Sequence, residues 1–154
     1  MSQPTNIPAD KVSLLEVTAE TVRVICDLKV SEAQNRYVAP NAVSIAQAYF
    51  EPKAWFRAIY AAETPVGFLM LYDDPEAERY YLWRFMIDAR YQKLGYGRKA
   101  MELLIEHVKA RPGARRLFLS CVPEDGGPEP FYQKFGFERT GKMHGIEAEM
   151  CLEL

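Results

Sequence analysis

The stretch Gln92-Lys93-Leu94-Gly95-Tyr96-Gly97, with the two cations after it, Arg98 and Lys99, has the residue types of an anion site. Gly95 and Gly97 lack a Cβ, so a phosphate can approach the main chain to hydrogen-bonding distance, and both tolerate the left-handed backbone such a loop can need. Ala100, Met101, Leu104, Ile105 and Val108 then recur at helical spacing until Pro112-Gly113. The loop therefore stands at a helix start, where the first amide hydrogens have no partner inside the helix and lie at the positive end of its dipole. A phosphate or pyrophosphate is the ligand such a place holds, mostly through main chain, with Lys93, Arg98 and Lys99 adding mobile charge.

The element that must position this loop is the strand before it. Tyr80 to Asp88 (Y-Y-L-W-R-F-M-I-D) is dense in aromatic and β-branched residues with one charge, Arg84, in its middle, as in a strand packed on both faces. Strand, glycine loop and helix also make a dinucleotide site, and Gly95 to Ala100 matches G-x-G-x-x-A. A dinucleotide site sets its first Gly directly after the strand, whereas Ala89 to Leu94 intervene here. Taken alone, the loop also reads as a glycine cap on an ordinary helix.

A second motif adds to it. Gln92 to Gly97 is similar to the Q/R-x-x-G-x-G/A loop of the GCN5-related N-acetyltransferases (GNAT), and Phe131-Tyr132-Gln133-Lys134-Phe135-Gly136-Phe137 resembles that family's Y-x-K-x-G-F signature. The resemblance spans roughly residues 12 to 153, with both motifs in the expected order. Leu82 to Asp88 and Ser44 to Phe50 look most like a bacterial branch of spermine/spermidine, or diamine, acetyltransferases. The resemblance implies an acyl-CoA N-acyltransferase fold with a mostly antiparallel mixed sheet, and acetyl-CoA as co-substrate. It places Gln92, Lys93, Leu94, Gly95, Tyr96, Gly97, Arg98, Tyr132 and Lys134 on the cofactor, with Phe85, Met86 and Ile87 offering backbone groups to the pantetheine as an added strand would.

Acetyl transfer to an amine needs a deprotonated amine, stabilisation of the oxyanion and a proton for the departing thiolate. The resemblance gives the last role to Tyr132: a thiol titrates near ~8.5 and a phenol near ~10, so a hydrogen-bonded tyrosine can return a proton to a nascent thiolate. The tyrosine equally fits a packed helix residue with its hydroxyl satisfied by backbone. Where many relatives carry a cofactor-contacting Asn, this chain has Asp125, and where polyamine enzymes often have a strand glutamate it has Trp83 and Arg84. Glu147, acting through water, is the candidate base, with Glu149 as its neighbour. Tyr37, Trp83, Arg84 and Glu147 are the candidate acceptor residues. A lone guanidinium on a central strand is costly, so Arg84 is expected to pair with Asp73 or Glu149, or else to line the acceptor site, where it would disfavour a polyamine.

Composition bounds these readings. At 154 residues and 49% apolar content the chain makes one domain with a real core, residues 11–154 after a loose tail at 1–10. A net charge of -2 gives no pull toward nucleic acid or anionic membrane. There is no membrane-length run and no secretion signal, so a cytoplasmic location is expected. Cys26, Cys121 and Cys151 sit among apolar neighbours and read as reduced core residues. No metal is expected, and a homodimer is a possible assembly. Strand, two helices, three strands, helix, strand, short helix and two strands make an α+β layered fold. The expected function is acetyl transfer to a small primary amine, a polyamine first. The alternatives are a protein N-terminus or lysine as acceptor, a non-catalytic CoA sensor, or an NAD module.

Overall fold

The central strand predicted around residues 80–88 is β4, Arg79–Ile87, and both layers of the molecule are built against it. The structure, a computed structural model, describes residues 7–154, without the side chains of residues 35–37. Its elements are β1 (Val12–Leu15), α1 (Val22–Asp27), α2 (Asn41–Phe50), β2 (Ala54–Ala61), β3 (Thr64–Asp74), β4, α3 (Tyr96–Lys109), β5 (Arg116–Cys121), α4 (Glu129–Gln133), β6 (Glu138–His144) and β7 (Glu147–Glu153). Among the described residues the strands form one sheet in the order β1-β2-β3-β4-β5-β7-β6, antiparallel except where β4 meets β5. The α+β layered architecture with a mixed, mostly antiparallel sheet is the one expected.

Strand alternation assigns each face its cover. Leu69, Leu71, Tyr80, Leu82, Leu117, Leu119 and Met150 pack with Tyr96, Ala100, Met101, Leu104 and Val108 of α3. Ala58, Phe68, Met70 and Met86 pack on the opposite face with Ile25 and Leu28 from the α1 region and, more peripherally, Ile45 and Ala48 of α2. The α1–α2 cover lies over the β2–β4 half of the sheet, and it ends where β4 turns its free edge toward β5.

Two elements depart from the sequence reading. Residues 7–10, expected within a loose tail, are docked: the Tyr96 hydroxyl accepts from the Ile7 N–H at 3.1 Å and donates to the Ile7 carbonyl at 2.7 Å. The helix expected to start after Thr18 begins at Val22, because the Thr18 N–H donates to the Thr21 Oγ1 at 2.9 Å and closes a separate turn first. No helix among the described residues is long and apolar enough to cross a membrane.

Gly67 on β3 lets β4 come close. A Cβ there would stand 2.4 Å from the Met86 carbonyl oxygen and 2.9 Å from Ile87 Cδ1. Gly67→Ala is expected to lower stability by about 2 kcal/mol and Tm by roughly 4–8 °C, measurable by calorimetry.

Candidate active site

One irregularity in β4 creates the site. Leu71 pairs with Leu82 and Met70 with Arg84, so Trp83 stands between them as the extra residue of a β-bulge. Regular alternation would put Trp83 and Arg84 on opposite faces. The bulge instead sends both to the α1–α2 side: Trp83 packs by the Met70 and Met86 cluster, and Arg84 Nη2 donates to Gln47 Oε1 of α2 at 3.1 Å. Bulges also sharpen twist and interrupt pairing. The β4–β5 ladder consists of Tyr81↔Phe118 and Leu82↔Leu119, after which the strands part. The gap between them is a cleft of about 1470 Å³, above the roughly 300–1,000 Å³ of ordinary ligand pockets.

Its lower end is the expected anion site. Gly95 is the N-cap of α3 at φ +87°, Lys93 precedes it at φ +64°, and left-handed residues in such a loop turn successive N–H groups into one concavity. No side chain caps the helix, and the N–H groups of Tyr96, Gly97 and Arg98 have no acceptor among the described residues. Gln92, Lys93, Gly95, Gly97 and Arg98 line the cleft here, with Lys134 across from them. Arg98 shares its charge with Glu102 at 3.4 Å, both exposed, while Lys93 and Lys134 have no ion pair among the described residues. Leu94 and Tyr96 do not line the cleft: Leu94 packs on the core, and the Tyr96 ring is buried against it with its hydroxyl on Ile7. Only their main chain belongs to the loop.

Two side chains brace this loop. Asp88, at the end of β4 and almost wholly buried, accepts from the Lys29 N–H at 2.9 Å and from the Arg90 N–H and Nε, each at 2.9 Å. Burial pushes its carboxyl up, but Arg90 and these amides outweigh that and hold it below the usual range. Gln92 Nε2 donates to the Ile87 carbonyl at 2.9 Å and to Gln34 Oε1 at 2.8 Å. That side chain therefore ties the loop to β4 and occupies a carbonyl that the added-strand reading had left for the cofactor. Phe85, Met86 and Ile87 do line the cleft, along the edge of β4 that β5 has left.

Tyr132 sits on α4 where the strands diverge. Its ring is buried against Phe131 and Phe137, and Phe131 stacks on Phe85 at 5.7 Å across the cleft. Glu129 fixes the start of α4 by accepting from Arg139 Nε and Nη2 at 2.5 and 2.7 Å. The Tyr132 hydroxyl makes no hydrogen bond to another described residue. Burial pushes its pKa far above the ordinary phenol value, with smaller contributions from Cys121 and Glu147. Cys121 is in the same wall, and burial raises its thiol to about 11.

The acids and Arg84 lie on the upper side. Glu147 lines the cleft and is close enough to act on Tyr132, Cys121, Tyr81 and Arg84, yet has no hydrogen-bond or ion-pair partner among the described residues. Glu149 is committed elsewhere, to His144 Nε2 at 2.7 Å and to the Thr140 hydroxyl at 2.9 Å. The expected pairing of Arg84 with Asp73 or Glu149 does not occur, because Asp73 receives Arg111 Nε at 3.1 Å and Glu149 is engaged by β6. Arg84 lines the cleft, its Nη1 donating to the Trp83 carbonyl at 3.0 Å. Asp125 is exposed and outside the lining, which Gly126, Gly127 and Pro128 supply. The Tyr37 side chain lies outside the described residues.

Sequence reasoning missed the bracing roles of Asp88 and Gln34, the place of Cys121 in the wall, and the hydrogen bond between Tyr81 and Ser120 where β4 and β5 part. The one available signal was an acid closing an otherwise apolar strand just before the loop.

A family model described as the acetyltransferase (GNAT) family matches residues 23–137. The chain is 32% identical over 142 residues to the spermine/spermidine N(1)-acetyltransferase of Bacillus subtilis strain 168, covering 86% of this chain and 91% of that protein. Two solved structures share the fold. One is the PaiA N-acetyltransferase of Thermoplasma acidophilum in complex with coenzyme A, at TM-score 0.68 and 16% identity, covering 93% of this chain and 99% of that one. The other is a GNAT family acetyltransferase of Elizabethkingia anophelis with acetyl-CoA bound, at TM-score 0.67 and 18% identity, covering 94% of this chain and 99% of that one.

Proposed function

The chain belongs to the acetyltransferase (GNAT) family and is an acetyl-CoA-dependent N-acetyltransferase; we propose that it acetylates a primary amine of a small molecule by direct attack in a ternary complex, with Tyr132 as general acid. The observation that carries this reading is one continuous cleft with uncapped amides at the start of α3 at one end and the Tyr132 hydroxyl, without a hydrogen-bond partner among the described residues, at the divergence of β4 and β5.

The α3 amides with Lys93, Lys134 and Arg98 hold the diphosphate, and the bared edge of β4 aligns the pantetheine. The Phe85–Phe131 stack excludes water beside the thioester. Glu147 takes the ammonium proton through a water molecule, since of Glu147 and Glu149 it alone faces the cleft without a partner among the described residues. The freed amine attacks the thioester carbon, Tyr132 donates its proton to the departing sulfur, and the proton then lost by the new amide nitrogen returns to the phenolate. The names of the curated relatives make spermidine and spermine the first acceptors to test.

The test is thiol release from acetyl-CoA across an amine panel, preceded by binding. At a hundredfold excess over its Kd, acetyl-CoA is expected to stabilise the protein by about 2.7 kcal/mol, a Tm rise of roughly 5–11 °C, and NAD to leave Tm unchanged. Tight CoA binding without thiol release on any amine would mark a sensor instead.

A further inference from the structure

The acceptor side of the cleft carries one charge of each sign, and this bears on what it receives. Arg84 is half-buried, and the carboxylates considered for it pair elsewhere with one exception: Asp73 with Arg111 and Glu149 with His144. The exception is Glu147, which faces the same cleft and acts on Arg84 without bonding to it. The partners Arg84 does have, the Trp83 carbonyl at 3.0 Å and Gln47 Oε1 at 3.1 Å, are neutral acceptors that fix the guanidinium and leave its charge without an ion-pair partner among the described residues. A guanidinium has five N–H donors. Two are used here, and Nε is buried without an acceptor among the described residues. The Trp83 ring centroid lies 5.6 Å from the guanidinium carbon and backs it with an aromatic face.

A desolvated cation oriented by neutral groups is built to receive an anion, and a planar fork suits a carboxylate in particular. We propose that Arg84 binds a carboxylate of the acceptor while Glu147 faces its amine, so that the preferred acceptor is a small amino acid or ω-amino acid rather than a fully cationic polyamine. This rests on the acetyl transfer proposed above and narrows its acceptor. A diamine or polyamine gains from Glu147 at one end but meets a bare positive charge at Arg84. A zwitterion of matching length satisfies both.

The experiment compares glycine, β-alanine, γ-aminobutyrate and δ-aminovalerate with cadaverine and spermidine, by thiol release and by calorimetric binding to the CoA-loaded protein. Wild type is expected to favour the best ω-amino acid over cadaverine by at least about tenfold in kcat/KM. Arg84→Gln should lower the amino-acid value by about 10–100-fold, the worth of a charge-assisted pair, and Arg84→Lys should recover part of it. Arg84→Glu should reverse the preference toward cadaverine, with CoA affinity unchanged in each variant. Equal losses on amino acids and diamines, or a wild-type preference for spermidine, would overturn the assignment. If no amine is turned over, the transfer reading fails, and calorimetry still decides: Arg84-dependent binding of the amino acid supports the subsite, and its absence removes it.

Discussion

Tyr132→Phe is expected to lower kcat by about a hundred- to ten-thousandfold, the range of a lost general acid, while the Kd for acetyl-CoA stays within about twofold. The two readouts separate because the phenyl ring does the packing, against Phe131 and Phe137, and the hydroxyl has no described protein partner whose loss would disturb the fold. The pH profile carries the same information. Burial raises the Tyr132 pKa, so the hydroxyl stays protonated past the ordinary phenol value near ~10. An alkaline decline of kcat below that value belongs to another group and should persist in Tyr132→Phe. A variant with near wild-type kcat on its best acceptor would remove Tyr132 from the chemistry and leave the proton to a water molecule.

Asp88→Ala is expected to cost about 3 kcal/mol at neutral pH, since it strips the acceptor from the Lys29 and Arg90 amides and leaves the Arg90 charge without its partner. The corresponding fall in Tm is roughly 6–12 °C. The folded-state pKa of Asp88 lies below its unfolded value, so its contribution is fully present above the unfolded pKa near ~3.9 and disappears as pH falls through the folded value. The gap between wild type and Asp88→Ala should therefore narrow in acid, as denaturation monitored across that range would report. Acetyl-CoA affinity should fall as well, because Asp88 holds the chain entering the phosphate loop. A stability gap unchanged down to strongly acidic pH would show that Asp88 acts by shape and not by charge.

The proposed phosphate end was legible because everything it needs is local. Gly95, its neighbours and the apolar period after them are contiguous, and main chain at a helix start binds an anion whatever lies elsewhere. Tyr132 was found only through its resemblance to a motif. Its spacing alone says that it packs, and the structure does bury its ring. The acceptor side was harder. The alternation of β7 puts Glu147 and Glu149 on one face without distinguishing them; the pairing of β6 with β7 brings His144 and Thr140 onto Glu149 and leaves Glu147 to the cleft.

The amino-acid sequence by itself determined the order of the elements, the layered α+β class, the uncapped start of α3 and the chemistry it invites, because burial periodicity and glycine placement act within a single segment. Only the tertiary structure decided which side chains share the cleft. Trp83 as an unpaired residue in β4 shifts Arg84 to the α1–α2 face beside the cleft that opens where β4 and β5 part and that Tyr132 lines. A single-residue change of register alters every facing relation downstream of it, and that register is set by pairing with the neighbouring strand β3, which the residue pattern of β4 alone does not record.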